Sequence, residues 1–274
     1  EKQRLALNKM LELEKISQEE YDSAIAEELD FQDHKIKGSD HVQSYFIDQL
    51  INDLIRDLQK EKGYSADFAE KTVYNGGLKI YATIDPEVQK VMEEVYENKA
   101  NFPKVSGEVT PQSAMVVLDP STGGVVGTVG GIGKKSGDRI LNRASMSYRQ
   151  PGSTIKPLSV YAPAIEQGKI MPTTIVEDAP IDIDGWKPTN YYKGYKGSVT
   201  ARNALKESMN TPAIRVLQDV GVDYSFDFMT KKLGFTSLVS NETRDGKKYT
   251  DKNLSSLALG GLTDGLSATE IAAA

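Results

Sequence analysis

Cysteine is absent from the 274 residues, which excludes disulfides, thiolate nucleophiles and zinc–sulfur centres. Histidine is nearly absent: His34 and His41 are the only two, leaving little for a histidine-dependent triad or metal site. No apolar run approaches the length of a bilayer, and the start, Glu1-Lys2-Gln3-Arg4, lacks the basic-then-apolar pattern of a signal peptide. A net charge of −6 argues against a phosphate backbone as partner, so no nucleic acid is expected. At 39% apolar and 26% charged, the composition is that of a globular chain. Its chemistry must run on serine, lysine, carboxylates or amides.

The first 62 residues read as helical. Leu5, Leu7, Met10, Leu11 and Leu13 form an apolar stripe, and Ser17-Gln18-Glu19-Glu20 is a capping box opening a second helix. Ile47, Leu50, Ile51, Leu54, Ile55 and Leu58 recur with a helical period; Gly63 closes that helix and Ser65 caps a short one over 66–75. From Asn75-Gly76-Gly77 the character changes. Leu78 to Ile84 alternates as a half-buried strand should, and Asp85-Pro86 supplies an N-cap and a first-turn proline. Strands follow at 114–118 and 125–129 around Asp119-Pro120-Ser121-Thr122-Gly123-Gly124, and from 200 onward the pattern is mostly helical, with Gly221 and Gly234 as stops. The fold class expected is mixed α+β from about residue 76.

The sharpest local feature is Gln150-Pro151-Gly152-Ser153-Thr154-Ile155-Lys156-Pro157. A turn leads into a helix with Ser153 in its first turn and Lys156 three residues on, so both share one face. A serine hydroxyl needs an adjacent base, and a lysine serves only when neutral; burial and the helix start both push its pKa down. Alone, the motif is equally an ordinary helix start with an exposed lysine. Ser208-Met209-Asn210, the only Ser-x-Asn, is read between a helix ending near Glu207 and one starting after Thr211-Pro212. Facing the nucleophile, its hydroxyl could relay a proton and its amide hold a carbonyl. By itself it is equally a helix cap.

Together these residues resemble the active-site serine penicillin-recognising enzymes, which use Ser-x-x-Lys, Ser-x-Asn and a Lys-Thr-Gly-type strand. Further segments narrow the resemblance to class A penicillin-binding proteins: 77–85, 117–123, Asn142-Arg143-Ala144, Trp186-Lys187-Pro188-Thr189-Asn190-Tyr191, 204–212 and Leu257-Ala258-Leu259-Gly260-Gly261. The spacing of 55 positions between Ser153 and Ser208 suits that class. Residues 1–29 resemble the end of a family 51 glycosyltransferase domain, 30–75 an inter-domain linker, mostly helical, and 76–274 the first part of a transpeptidase domain of β-lactamase-like fold, an antiparallel sheet with helical clusters.

The resemblance implies a D,D-transpeptidase that cross-links peptidoglycan stem peptides, with Ser153 as nucleophile, Lys156 as base, Ser208 as proton relay and Asn210 as substrate-binding amide. It implies no cofactor and no metal. Its partners would be stem peptides, nascent glycan strands and β-lactams as covalent inhibitors, at the extracytoplasmic face of a bacterial membrane, held there by an N-terminal anchor that is absent here. The alternatives are a D,D-carboxypeptidase, a β-lactamase-like hydrolase, or a non-catalytic fragment of a cell-wall synthase. A class A β-lactamase would carry Glu-x-x-Leu-Asn after the Ser-x-Asn motif, and none occurs downstream of Asn210. The chain departs from the pattern in one respect: its only Lys-[Ser/Thr]-Gly, Lys135-Ser136-Gly137, precedes the nucleophile and reads as a polar turn. The third motif would belong to a missing C-terminal segment, carried on another piece, lying outside these residues or deleted, and without it the chain should acylate poorly and leave a sheet edge exposed.

Overall fold

The computed structural model describes residues 2–27, 42–104 and 111–274; both histidines and the polar connector at 30–40 lie outside them. The chain divides into two compact units, residues 1–41 and 42–274. In the first, α1 (Lys2–Glu12) and α2 (Gln18–Ala26) run antiparallel, since Gln3 Nε2 donates to Ala24 O and the Tyr21 hydroxyl to Asn8 Oδ1. The capping box forms as expected: Ser17 Oγ accepts from Glu20 N, and the Glu20 carboxylate accepts from Ser17 N. Hydrogen bonding from the Ser17 backbone N–H, and after it from the Ser17 hydroxyl, holds the Glu20 carboxyl below its ordinary pKa. The apolar stripe of α1 stays largely in solvent, with only Leu7 and Leu11 half-buried.

The second unit opens with α3 (Tyr45–Lys62), capped by Ser44 and closed by Gly63 in the left-handed conformation, and α4 (Ala66–Asn75), capped by Ser65. The stripe from Ile47 to Leu58 is half-buried, partly under α4, while Tyr45, Phe46 and Asp48 at the start of α3 are the buried residues. Asp85 caps α5 (Pro86–Glu97), as its Asp-Pro signal predicts. Met92 and Tyr96 of α5 pack on β2 (Val125–Val129), which pairs antiparallel with β1 (Met115–Leu118). The helix can come this close because β2 carries Gly127, where a Cβ would lie 2.6 Å from Met92 Sδ.

One expected strand does not form. Residues 78–84 run beside β2 but are tied to it only at its first residues, by Thr83 Oγ1 to Val125 O and Asp85 N to Val126 O. Further along, the buried Gln89 amide of α5 occupies the β2 edge, donating to Thr128 O and accepting from Thr128 N. A side chain thus fills the place of a neighbouring strand, and Leu78, Ile80 and Tyr81 remain exposed.

The motif Lys135-Ser136-Gly137 is a structural pin. Lys135 Nζ lies 2.7 Å from Asp48 Oδ2 and donates to Gln43 O and Gly137 O, above the Tyr45 ring. The pair joins the loop after β2 to the start of α3, and both side chains are almost entirely shielded. α6 (Arg143–Met146) follows, capped by Asn142.

The remainder wraps around one buried helix. α7 (Ala162–Glu166) leads to β3 (Ile175–Asp178), antiparallel to β4 (Gly197–Thr200), and α8 (Ala201–Lys206) precedes α9 (Asn210–Val220). Ala213, Ile214, Val216, Leu217 and Val220 of α9 are buried against Val160, Tyr161 and Ala164 on one side and Leu257 and Ala258 on another. α10 (Val222–Asp227), the hairpin β5 (Glu242–Arg244) and β6 (Lys247–Tyr249), α11 (Leu254–Leu259) and α12 (Ala268–Ala273) complete the unit. Gly221 ends α9 as expected, whereas the four strands after residue 170 were not anticipated. The result is mixed α+β with two-stranded antiparallel sheets.

Breaking the Lys135–Asp48 pin should cost far more than changing the serine beside it. Lys135→Ala is expected to lower unfolding free energy by about 3 kcal/mol, because a buried carboxylate loses its cation. Ser136→Ala, at an exposed position, should stay within about 0.5 kcal/mol. Urea midpoints measure both.

Candidate active site

Ser153 stands in a 3₁₀ turn, Gly152–Ile155, which passes through a π turn, Pro157–Tyr161, into α7. Two prolines explain the irregularity. Pro157 cannot donate to Ser153 O, which instead accepts from Lys156 N in the tighter register. Pro163 cannot donate to Ser159 O, and the Ser225 hydroxyl of α10 does so at 2.6 Å. Ser159 Oγ donates in turn to Ile155 O and to Leu257 O of α11. The segment is therefore held by a side chain of α10 and a backbone carbonyl of α11.

Its position is further fixed by glycines. Gly260, with φ +77°, lies so close to Gly152 that a Cβ there would sit 2.2 Å from Gly152 O; a Cβ on Gly265, φ +90°, would sit 2.3 Å from the Arg149 carbonyl carbon. Arg149 and Leu266 exchange two backbone hydrogen bonds, and Gln150 Nε2 donates to Leu262 O. Residues 260–266 thus form a backbone cradle immediately before Ser153.

Lys156 is fully buried while Ser153, three residues earlier, is exposed. Lys156 Nζ lies 2.7 Å from Ser208 O, 2.7 Å from Asn210 Oδ1 and 3.3 Å from Ser208 Oγ. Among the described residues no carboxylate pairs with it. Burial, which penalises the ammonium, pushes its pKa down from 10.5 to about 8. No hydrogen bond among the described residues joins Ser153 Oγ to Lys156, so three of the four expected residues form one bonded cluster, and Ser153 is exposed on the turn that leads to Lys156. A groove of about 900 Å³ between residues 146–149 and 236–242 includes none of the four.

The Ser208–Asn210 segment owes its shape to the end of α8. Ser208 N donates to Leu205 O and Met209 N to Ala204 O, the paired bonds of a Schellman motif, with Met209 buried beneath. This geometry requires a left-handed residue, usually glycine, and Ser208 fills it at φ +50°. A serine kept at a strained position points to a use for its hydroxyl. The helix that follows starts at Asn210 itself, earlier than expected, because Thr211 and Pro212 are already helical.

Two residues that sequence reasoning did not single out stand behind this segment. Asn190 Oδ1 accepts from the backbone N–H of Asn210 at 2.7 Å and of Thr211 at 3.4 Å, and its Nδ2 donates to Asp178 Oδ1 at 2.7 Å. Asp178, fully buried, also accepts from Thr211 Oγ1, the Tyr192 hydroxyl and Lys196 N. Burial alone would raise the Asp178 pKa, yet these four donors together hold it below the ordinary range. Asn190 lay within a stretch marked by resemblance; nothing local marks Asp178.

A family model described as "Penicillin binding protein transpeptidase domain" matches residues 113–274, more than half of the chain. The chain belongs to the penicillin-binding protein transpeptidase family. Penicillin-binding protein 1A of Clostridium tetani is 31% identical over 277 residues, covering 95% of this chain and 34% of that protein. Penicillin-binding protein 2a of Streptococcus pneumoniae is 36% identical over 195 residues, covering 70% of this chain and 25% of that protein. Among solved structures, that of the PonA1 protein from Mycobacterium tuberculosis in complex with penicillin V is similar with a TM-score of 0.58 and 26% identity, over 78% of this chain and 54% of that one. The chain spans a quarter to a third of the length of these curated relatives. The fold expected from the sequence, a penicillin-binding transpeptidase fold of mixed class, is the one present.

Within this transpeptidase fold, Ser208→Gly should relieve the left-handed strain and raise stability by about 0.5–1 kcal/mol. Gly260→Ala should lower it by more than that, since its Cβ meets backbone and not a yielding side chain. Thermal unfolding of the two variants should therefore shift in opposite directions.

Proposed function

We propose that this protein is a serine D,D-transpeptidase acting on the D-alanyl-D-alanine end of peptidoglycan stem peptides. The observation that carries the reading is the buried Lys156, uncharged over an accessible pH range and fixed by Ser208 and Asn210 beside an exposed Ser153. Ser153 Oγ attacks the penultimate carbonyl and gives its proton to neutral Lys156. The tetrahedral intermediate expels D-alanine, whose nitrogen takes that proton by way of Lys156 and the Ser208 hydroxyl. Asn210 holds the donor peptide's amide. An amine of a neighbouring stem peptide then attacks the ester carbonyl, forming the cross-link and freeing Ser153. Water in the amine's place gives carboxypeptidase activity, and a β-lactam leaves an acyl-enzyme slow to undergo the second step.

In this reading residues 1–29 end a glycosyltransferase-like domain, 30–75 form the linker and 76–274 begin the transpeptidase domain. The site works at the extracytoplasmic face of a bacterial cell membrane, on stem peptides carried by nascent glycan strands. No helix among the described residues is long and apolar enough to cross a membrane. A Lys-Thr-Gly-bearing strand, absent from the residues after Ser208, supplies the third wall of the cleft.

A fluorescent penicillin tests the assignment. The full-length protein should label stoichiometrically at Ser153, with labelling lost in Ser153→Ala and in a folded Lys156→Ala; near-normal acylation in the latter would refute the base. The 274-residue chain alone should label poorly, and stoichiometric labelling there would remove the need for a third wall. The pH profile follows from the direction of the Lys156 shift. The base is protonated below about pH 8, so acylation should fall about tenfold per pH unit beneath that midpoint and level off above it.

A further inference from the structure

Behind the Ser208–Asn210 segment lies a polar assembly that the reaction itself does not use. Asp178 sits on β3, Asn190 in the connection between β3 and β4, and Thr211 in the first turn of α9. Asp178 and Thr211 are fully buried and Asn190 nearly so. A buried carboxylate without a cation is costly unless each oxygen finds donors. Here Oδ1 takes Asn190 Nδ2 and Thr211 Oγ1, Oδ2 takes the Tyr192 hydroxyl and Lys196 N, and no salt bridge among the described residues reaches it. One arm leads to the site. With its Nδ2 committed to Asp178, Asn190 can turn only its Oδ1 toward the Asn210 backbone amide, 2.7 Å away. The Asn210 side chain is fixed from the same connection, its Nδ2 donating to Thr189 O at 2.7 Å, which turns Oδ1 toward Lys156 Nζ.

We infer that Asp178, acting through Asn190, is a positioning residue that fixes the acceptors of Lys156 and the hydroxyl of Ser208. This rests on the acyl-transfer reading of the site and adds to it a residue three hydrogen bonds removed from the lysine. The consequence is specific. Ser208 occupies a strained conformation and Lys156 a cavity with no carboxylate, so neither group holds the other in place by charge. The carboxylate that defines the site's geometry stands one layer further out, where it does not raise the pKa of the lysine by pairing with it. A small displacement of a catalytic group costs on the order of 10–100-fold in rate.

The test uses Asn190→Ala and Asp178→Asn in the full-length protein; the latter keeps the shape but offers a donor where an acceptor stood. Met92→Ala, in the separate core between α5 and β2, controls for general destabilisation. Acylation by a fluorescent penicillin is separated into its non-covalent dissociation constant and its acylation rate constant, and amide hydrogen exchange is followed across 207–220. In Asn190→Ala the rate constant is expected to fall on the order of 10–100-fold, with the dissociation constant within about threefold. Exchange at Asn210 and Thr211 should accelerate at least about tenfold while that of Ile214 to Val220 is retained. Asp178→Asn should move both readouts in the same direction, and Met92→Ala neither. An unchanged rate constant in Asn190→Ala, or a loss matched by Met92→Ala at equal stability, overturns the inference. If the wild-type protein does not label at Ser153, the acyl-transfer reading fails; the exchange data then decide whether the network holds the segment, and unaltered protection at Asn210 overturns it.

Discussion

Burial of a lysine ammonium without a counter-charge is the constraint on which the site depends. Lys156 is completely enclosed, and a cation in that position is expensive unless paired or surrounded by acceptors. The protein supplies acceptors only: a carbonyl, an amide oxygen and a hydroxyl. A carboxylate at the same distance would stabilise the ammonium and keep the lysine charged, whereas neutral oxygens leave the balance to burial and bring the pKa to about 8. Hydrogen bonding and desolvation are thus set against each other so that proton loss is accessible in mild alkali. The neighbouring carboxylates have other assignments. Asp178 receives its four hydrogen bonds behind the loop, and Asp251, fully buried as well, accepts from Val239 N, Thr263 N and Thr263 Oγ1 under the cradle of residues 260–266.

Backbone conformation does much of the remaining work. Ser208 takes the place of the glycine that usually ends a helix in this geometry, and Gly260 and Gly265 permit a chain-to-chain approach that no side chain would allow. The strain shapes the loop whose acceptors meet Lys156, and the close contact seats Gly152 just before the serine. Pro157, directly after the Ser153–Lys156 turn, lacks the N–H that would bond Ser153 O in an ordinary helix, which places Ser153 and Lys156 in 3₁₀ register.

The parts of this architecture legible in the sequence are those governed by local chemistry. Ser17, Ser65, Gly63 and Asp85-Pro86 mark helix ends correctly because capping involves only neighbouring residues. The alternation of 78–84 is equally local, but a strand requires an unoccupied partner edge, and Gln89 fills the one available; periodicity carries no information about that. The β5–β6 hairpin had a readable signal in Asp245-Gly246, both at positive φ in the two-residue turn, although the helical pattern around it dominated the reading. The grouping of Lys156, Ser208 and Asn210 was anticipated from motif spacing and family resemblance, and the three form one hydrogen-bonded cluster. Asp178 was not legible, since what makes it distinctive is its set of four donors, three from the connection between β3 and β4 and one from α9. Lys135-Ser136-Gly137, read as a polar turn, does bend the chain, yet its lysine is nearly buried because Asp48, far away in sequence, waits for it.

The hydroxyl of Ser225 has a wider meaning than filling a gap left by Pro163. Because α10 completes the hydrogen bonding of the nucleophile's own helix, and α11 receives the bond from Ser159, the turn bearing Ser153 has no independent means of fraying. It can open only when its neighbours do, so the smallest cooperative unit that contains the nucleophile is the packed helical core. Rigidity at the serine is then a property of a large folding unit, and mobility in the surrounding loops can vary without reaching it.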